Sequence, residues 1–296
     1  MSQDTHFETR GAPRKNHRPG PPGWLMAALV ICVALVAVYA LTHQGEDRSL
    51  AAEPTPPETA VSTPEVSPAP TPSPTPEPTP SPTPEPAPAV DYSQPVAEGE
   101  PVEMDWFADA VFIGDSRVDG FKLYSGVTGM DYLDYTGLTV YDVVENKKVI
   151  RSGNGKISIL EALVQKEYGK VYIALGINEL GYFNADGFAD TFGQLVDAVR
   201  ECQPGAAIYI QSIIPVNTGK CKANDQPDYV TNEGIAGYNA ALAQVAEEKE
   251  VFLLGVPGAL LDENGETDRE YSADGVHFKK EGYVIWRDYL MCHTET

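Results

Sequence analysis

The chain has 296 residues, with 43 acidic side chains against 21 basic ones and a formal net charge of −22. So negative a surface repels phosphate backbones, which excludes nucleic acid as an expected partner. Most of the 25 prolines fall before Val102, so only the C-terminal two thirds has the composition of a folded domain, enough for one sizeable core.

In chain order, residues 1–23 form a short basic tail with Arg10, Arg14, Lys15 and Arg18. An uncharged apolar run follows from Trp24 to Leu41. As a helix rising about 1.5 Å per residue it would span roughly 27 Å, close to the hydrocarbon thickness of a bilayer. Basic residues before the run, and Glu46 and Asp47 after it, predict a single-pass signal-anchor with its N-terminus in the cytoplasm and the rest of the chain extracytoplasmic. The alternative is a cleaved signal peptide, with Val38-Tyr39-Ala40 as the cleavage site and a secreted product. Residues 42–103 are expected to be a disordered stalk. They carry two copies of Thr-Pro-Ser-Pro-Thr-Pro-Glu-Pro, at 71–78 and 79–86, and such alternating prolines favour a semi-rigid polyproline II spacer.

From Met104 to the C-terminus, short apolar runs alternate with amphipathic ones. Ala110–Gly114, Lys170–Gly176, Ala207–Ile213 and Val251–Val256 read as buried strands, and Tyr132–Tyr135 as a weaker one. Helices are expected from about Arg117, over Ile157–Tyr168, Phe188–Cys202 and Ile235–Lys249, and over roughly Lys279–Met291. This alternation predicts a three-layer α/β/α sandwich around a mostly parallel sheet of about five strands. Ligands of such sheets bind at the carboxyl ends of the strands, so chemistry is sought just after each apolar run.

The first strand exits into Gly114-Asp115-Ser116, which places a serine at a helix N-terminus where free amides favour an oxyanion. The second exit carries Gly137, and the third Gly176-Ile177-Asn178-Glu179. Taken singly, these are an N-cap serine, a turn glycine and a turn asparagine. Near the end, Asp274-Gly275-Val276-His277 sets a carboxylate three residues before a histidine, just ahead of the last helix. The predicted domain holds one other histidine, His293, close to the C-terminus, so a serine that needs an imidazole base has His277. Asp115 beside the serine is expected to accept backbone amides and stabilise the turn. No cluster of histidines or cysteines has metal-ligand spacing, so neither metal nor cofactor is implied. Asp262-Glu263-Asn264-Gly265-Glu266 reads as a tight type I′ turn.

These blocks, in this order from Phe112-Ile113-Gly114-Asp115-Ser116 to Asp274-Gly275-Val276-His277-Phe278, resemble the SGNH/GDSL hydrolase superfamily. The resemblance implies a flavodoxin-like sandwich and a serine esterase. Ser116 would be the nucleophile, His277 and Asp274 the rest of the triad, and Ser116, Gly137 and Asn178 the oxyanion donors. Gly126 and Gly129 are alternatives to Gly137. This chain departs from the family pattern in placing Arg117 after the serine and Glu179 after the asparagine. Arg117 is read either as a surface residue paired with a carboxylate such as Asp119 or as a contact to an anionic part of the substrate. Anchor and stalk favour a small acyl ester, an O-acetyl group on a cell-wall or other carbohydrate. The alternatives are a carbohydrate O-acyltransferase, which would need a separate membrane acyl-donor partner, and a non-catalytic glycan-binding module. Topology puts Cys202 and Cys292 at the bottom of the sheet and Cys221 at the top, so a bridge, if formed, joins Cys202 to Cys292. Three reduced thiols are the other reading.

Overall fold

A computed structural model describes residues 90–295. The apolar run 24–41 and most of the proline-rich segment lie outside the described residues. Among the described residues no helix is long and apolar enough to cross a membrane.

The strands are β1 (Ala110–Gly114), β2 (Asp131–Asp134), β3 (Ile150–Ser152), β4 (Gly155–Ile157), β5 (Lys170–Ala174), β6 (Ala207–Gln211) and β7 (Phe252–Leu254). The helices are α1 (Ser116–Tyr124), α2 (Val140–Val144), α3 (Ile159–Leu163), α4 (Ala185–Cys202), α5 (Thr218–Ala223), α6 (Asn232–Lys249) and α7 (Lys280–Cys292). Five strands pair in the order β2-β1-β5-β6-β7, every neighbour parallel. The strand order reverses between β1 and β5, and their carboxyl ends flank the crevice where such sheets place ligands.

Period-two alternation divides the core into two layers of different chemistry. Val111, Ile113, Val171, Ile173, Ile208 and Ile210 point to one face, where α4 and α6 cover an aliphatic layer. Phe112, Tyr172 and Tyr209 point to the other face, where they meet Phe121 of α1 and Trp286 of α7. The rings there pack edge-to-face or stacked, with Phe112 and Trp286 at 5.6 Å and Tyr172 and Tyr209 at 4.8 Å.

Four details differ from the sequence reading. The helix expected over Ile157–Tyr168 is one short turn, α3, preceded by the hairpin β3-β4. Gly153-Asn154 forms the hairpin's two-residue loop, with Gly153 at φ 54°. The helix stops early because the Gln203 side chain takes over the local polar groups: its Nε2 donates to the Leu163 and Lys166 carbonyls and its Oε1 accepts the Tyr168 N–H. The packed structure also begins ahead of Met104. Pro95 bridges to Leu253 beside β7, and the amides of Gly99 and Val102 donate to the carbonyls of Cys292 and Met291. In the 262–266 turn only Gly265 has positive φ, so the loop is not type I′; Asp262 Oδ1 instead accepts the amides of Asn264 and Glu266.

Among the described residues, the three cysteines Cys202, Cys221 and Cys292 are free. Cys202 ends α4 against the aliphatic layer, whereas Cys292 ends α7, which covers the aromatic one. Both lie at the same end of the sheet, but the sheet itself separates them. The Cys202–Cys292 bridge is therefore excluded by face, a coordinate the end-to-end argument did not contain.

Candidate active site

Ser116 is the first residue of α1, and Asp115 is its N-cap. The Asp115 side chain is buried; Oδ1 accepts the Arg117 amide at 2.8 Å and Oδ2 accepts the Asn178 Nδ2 at 3.2 Å. Burial pushes its carboxyl up, opposed by the Arg117 amide, the Arg117 charge and His277. Asp115 thus stabilises the turn, as expected, and the acid beside His277 is Asp274.

Ser116 Oγ lies 2.8 Å from His277 Nε2, and His277 Nδ1 lies 2.8 Å from Asp274 Oδ2. Asp274 holds its own loop as well, because Oδ1 accepts the amides of Val276 at 2.9 Å and His277 at 2.7 Å. Partial burial would raise the Asp274 carboxyl, but these amides and the imidazole together hold it below the ordinary aspartate value. The loop is tight for a steric reason. Gly275 sits at φ 106°, and a Cβ there would collide with the backbone and sulfur of Cys221. Lys220 Nζ donates to the Ser272 carbonyl and Ser272 Oγ accepts the Gly275 amide, which ties α5 to the loop. A hydroxyl, an imidazole and a carboxylate in this line can move the serine proton to Nε2 while the acid holds the Nδ1–H tautomer.

The Gly137 turn reaches the same rim. Tyr135 donates to the Gly114 carbonyl and Leu138 donates back to Tyr135, so Gly137 occupies the position of the turn that needs positive φ, here 78°. Among the described residues no acceptor takes the Gly137 N–H, and the space beside its Cα is open. Gly126 packs near Arg287 and Gly129 against Ala108, at the opposite end of the sheet, so neither can serve the serine.

Asn178 lies at the β5 exit, as expected, with its amide engaged, whereas Arg117 departs from its expected surface position. Asn178 Nδ2 donates both to Asp115 and, at 3.0 Å, to the Leu138 carbonyl, so an oxyanion contact requires one of these bonds to be exchanged. Arg117 is neither on the surface nor paired with Asp119, whose salt-bridge partner is Lys122. Its side chain is 5 % exposed, Nη1 donates to the Ile214 carbonyl at 2.7 Å, and its guanidinium lies 5.2 Å from the Phe278 ring centroid. Nε and Nη2 are buried without a partner, beside a cavity of about 20 Å³ shared with Asp115, Gln211 and Ser212. An arginine so enclosed packs beneath the rim that carries Ser116.

Glu179 was singled out by sequence only as a departure from the family pattern. It is fully buried, Oε1 accepts the Val140 amide at 2.6 Å, and Oε2 has no partner. Burial pushes its carboxyl up to about 8, which the Val140 amide opposes and the charge of Asp115 reinforces. Asn178 grips Leu138 and Glu179 grips Val140, so two consecutive residues clamp the segment after Gly137. Among the described residues no group of three or more His, Cys, Asp or Glu side chains is disposed to hold a metal ion.

The model of the GDSL-like Lipase/Acylhydrolase family matches residues 112–285, more than half of the chain, from β1 into α7. The chain belongs to that family. It is an SGNH-type hydrolase, and its fold is the expected mostly parallel α/β sandwich. Its curated relative, the isoamyl acetate-hydrolyzing esterase of Saccharomyces cerevisiae, is 38% identical over 66 residues, 22% of this chain and 28% of that enzyme. The matched segment thus spans under a third of the relative's length. Among solved structures, a Streptococcus pneumonia protein described as a candidate platelet activating factor superposes with a TM-score of 0.50 at 24% identity. That superposition covers 62% of this chain and 81% of the other. A GDSL-like lipase of Bacteroides thetaiotaomicron gives a TM-score of 0.46 at 17% identity, covering 61% and 84% of the two chains. At 24% identity the first of these likenesses speaks for the fold alone.

Proposed function

We propose that this family member is an extracytoplasmic serine esterase that hydrolyses small acyl esters, an O-acetyl group on a cell-wall or other carbohydrate. The observation that carries the reaction is the unbroken line from Ser116 Oγ through His277 to Asp274, with both contacts at 2.8 Å. Ser116 Oγ attacks the ester carbonyl and its proton passes to His277 Nε2. The oxyanion forms against the Ser116 and Gly137 amides, two donors without a protein acceptor, and Asn178 Nδ2 joins them by exchanging one of its bonds. Collapse breaks the ester bond, and the alcohol leaves with the proton from His277. Water then adds to the acyl-serine with His277 as base, releasing the carboxylic acid and restoring the hydroxyl. The basic tail, apolar run and proline-rich segment support the location, and the location supports a glycan ester over a free lipid.

Turnover of p-nitrophenyl acetate, with and without an acceptor sugar, tests the reading. Release of acetate that depends on Ser116 and is indifferent to the sugar supports a hydrolase. Acetylated sugar as the main product would assign a transferase, and no turnover of any ester would overturn the catalytic reading.

A further inference from the structure

Large apolar side chains exposed elsewhere on the described surface, such as Leu123 and Val164, are scattered, but those on the rim beside Asn178 are all aromatic. Tyr135, Tyr182, Phe183 and Tyr229 are 37%, 58%, 79% and 38% exposed. Phe183 and Tyr229 form a shelf, and Tyr182 flanks it. Phe183 and Tyr229 lie edge-to-face at 6.4 Å, a Cβ added at Gly181 would meet the Tyr229 ring, and Tyr182 meets Tyr141 of α2 at 5.2 Å. The shelf begins directly after Asn178 and Glu179 and is anchored underneath by buried Leu180 and by the Tyr238 hydroxyl on the Glu179 carbonyl.

Phe183 has a conformation that packing does not explain. Its φ of 51° and ψ of 35° are left-handed, strained for a bulky side chain and natural for glycine. Yet this is the most exposed of the large apolar side chains on the described surface, so burial does not offset the strain. Strain of this kind gathers at ligand clamps. Beside the shelf, residues 225–231 and α5 enclose an open groove of about 480 Å³, the size of a small-molecule site. Its lining is mixed: Thr218, Lys222, Asp225 and Gln226 supply polar groups and Pro227 and Val230 apolar ones, and its inner wall is Cys221, which packs under Gly275 of the histidine loop.

An alkyl chain would call for an enclosed apolar tunnel. Open rings beside an open groove of mixed polar and apolar lining suit a ligand with one C–H face and a hydroxylated edge. Resting on the carbohydrate-ester reading above, we infer that Phe183 and Tyr229, flanked by Tyr182, form a sugar-ring subsite, on which a pyranose next to the esterified unit stacks while its hydroxyls face the groove.

The test compares the full chain with its Phe183→Gly variant and with Tyr182→Ala/Tyr229→Ala. Three probes are used: p-nitrophenyl acetate, p-nitrophenyl octanoate, and a mixture of randomly O-acetylated chito-, xylo- and manno-oligosaccharides. Phe183→Gly suits the left-handed backbone, so its melting temperature should equal or exceed that of the native chain. We expect kcat/KM on the oligosaccharides to fall about tenfold through KM, with p-nitrophenyl acetate changed less than twofold. Normal oligosaccharide kinetics in both variants would overturn the subsite alone. A loss confined to the octanoate would assign the shelf to an acyl chain, and equal losses on all probes would show a structural role. A native chain that cleaves p-nitrophenyl acetate but no acetylated oligosaccharide would sink the carbohydrate reading, and the subsite with it.

Discussion

Asn178 Nδ2 donates to Asp115 Oδ2 at 3.2 Å, joining the exit of β5 to the N-cap of the helix that begins with Ser116. The same amide holds the Leu138 carbonyl at 3.0 Å, so one side chain ties together three strand exits. The asparagine therefore organises the rim before any substrate arrives, and its contribution to an oxyanion comes at the expense of one of these bonds.

Asn178→Ala should accordingly lower kcat on p-nitrophenyl acetate by about 10²- to 10³-fold, the range for loss of an oxyanion donor. It should also loosen the Gly137 turn, read as faster amide exchange at Leu138 and Val140. Unchanged exchange with a lowered kcat would confine its role to the oxyanion.

Ser116→Ala and His277→Ala should each reduce turnover by about 10³-fold or more with the fold intact. Asp274→Asn should cost less, because an amide oxygen can still accept the Val276 and His277 amides. Near-native turnover by Ser116→Ala would end the triad assignment.

Arg117→Ala should act on stability and not on substrate choice. It removes a guanidinium packed on Phe278, orphans the Ile214 carbonyl, and leaves buried Asp115 without its nearby cation. The loss should be about 3 kcal/mol by urea denaturation, as for other broken buried charge networks. KM for acidic and neutral acetylated sugars should move together; a selective rise for the acidic one would restore a direct substrate contact.

Glu179 predicts a pH dependence of definite sign. Its carboxyl ionises near the ordinary value of 4.5 when the chain is unfolded, but only at about 8 when folded. Between those values the folded chain binds more protons than the unfolded one, so stability falls as pH rises from about 4.5 to about 8 and levels off above. Glu179→Gln keeps an acceptor for the Val140 amide and removes the ionisation. Denaturant midpoints at pH 5 and pH 8 should converge for the variant and differ for the native chain. An equal decline in both would place the titrating group elsewhere.

The sequence by itself determined the five strands of the parallel sheet, the order of the blocks and the proposed roles of Ser116, Asp274 and His277. Short apolar runs alternating with amphipathic helices are buried as parallel strands, the exits of parallel strands share one edge, and an Asp three residues before a His can fold its carboxylate onto the ring within one loop. Local spacing carries all of that. The tertiary structure decided what depends on partners distant in sequence. Arg117 points inward because the Ile214 carbonyl and the Phe278 ring wait there, and α3 ends early because Gln203 takes its carbonyls. Cys202 and Cys292 share an end of the sheet but not a face, and Asn178 spends its amide on Asp115 and Leu138. Periodicity shows that a side chain is buried; only the packed chain shows which neighbour it meets, because that neighbour is set by the sheet order and the hand of the crossovers.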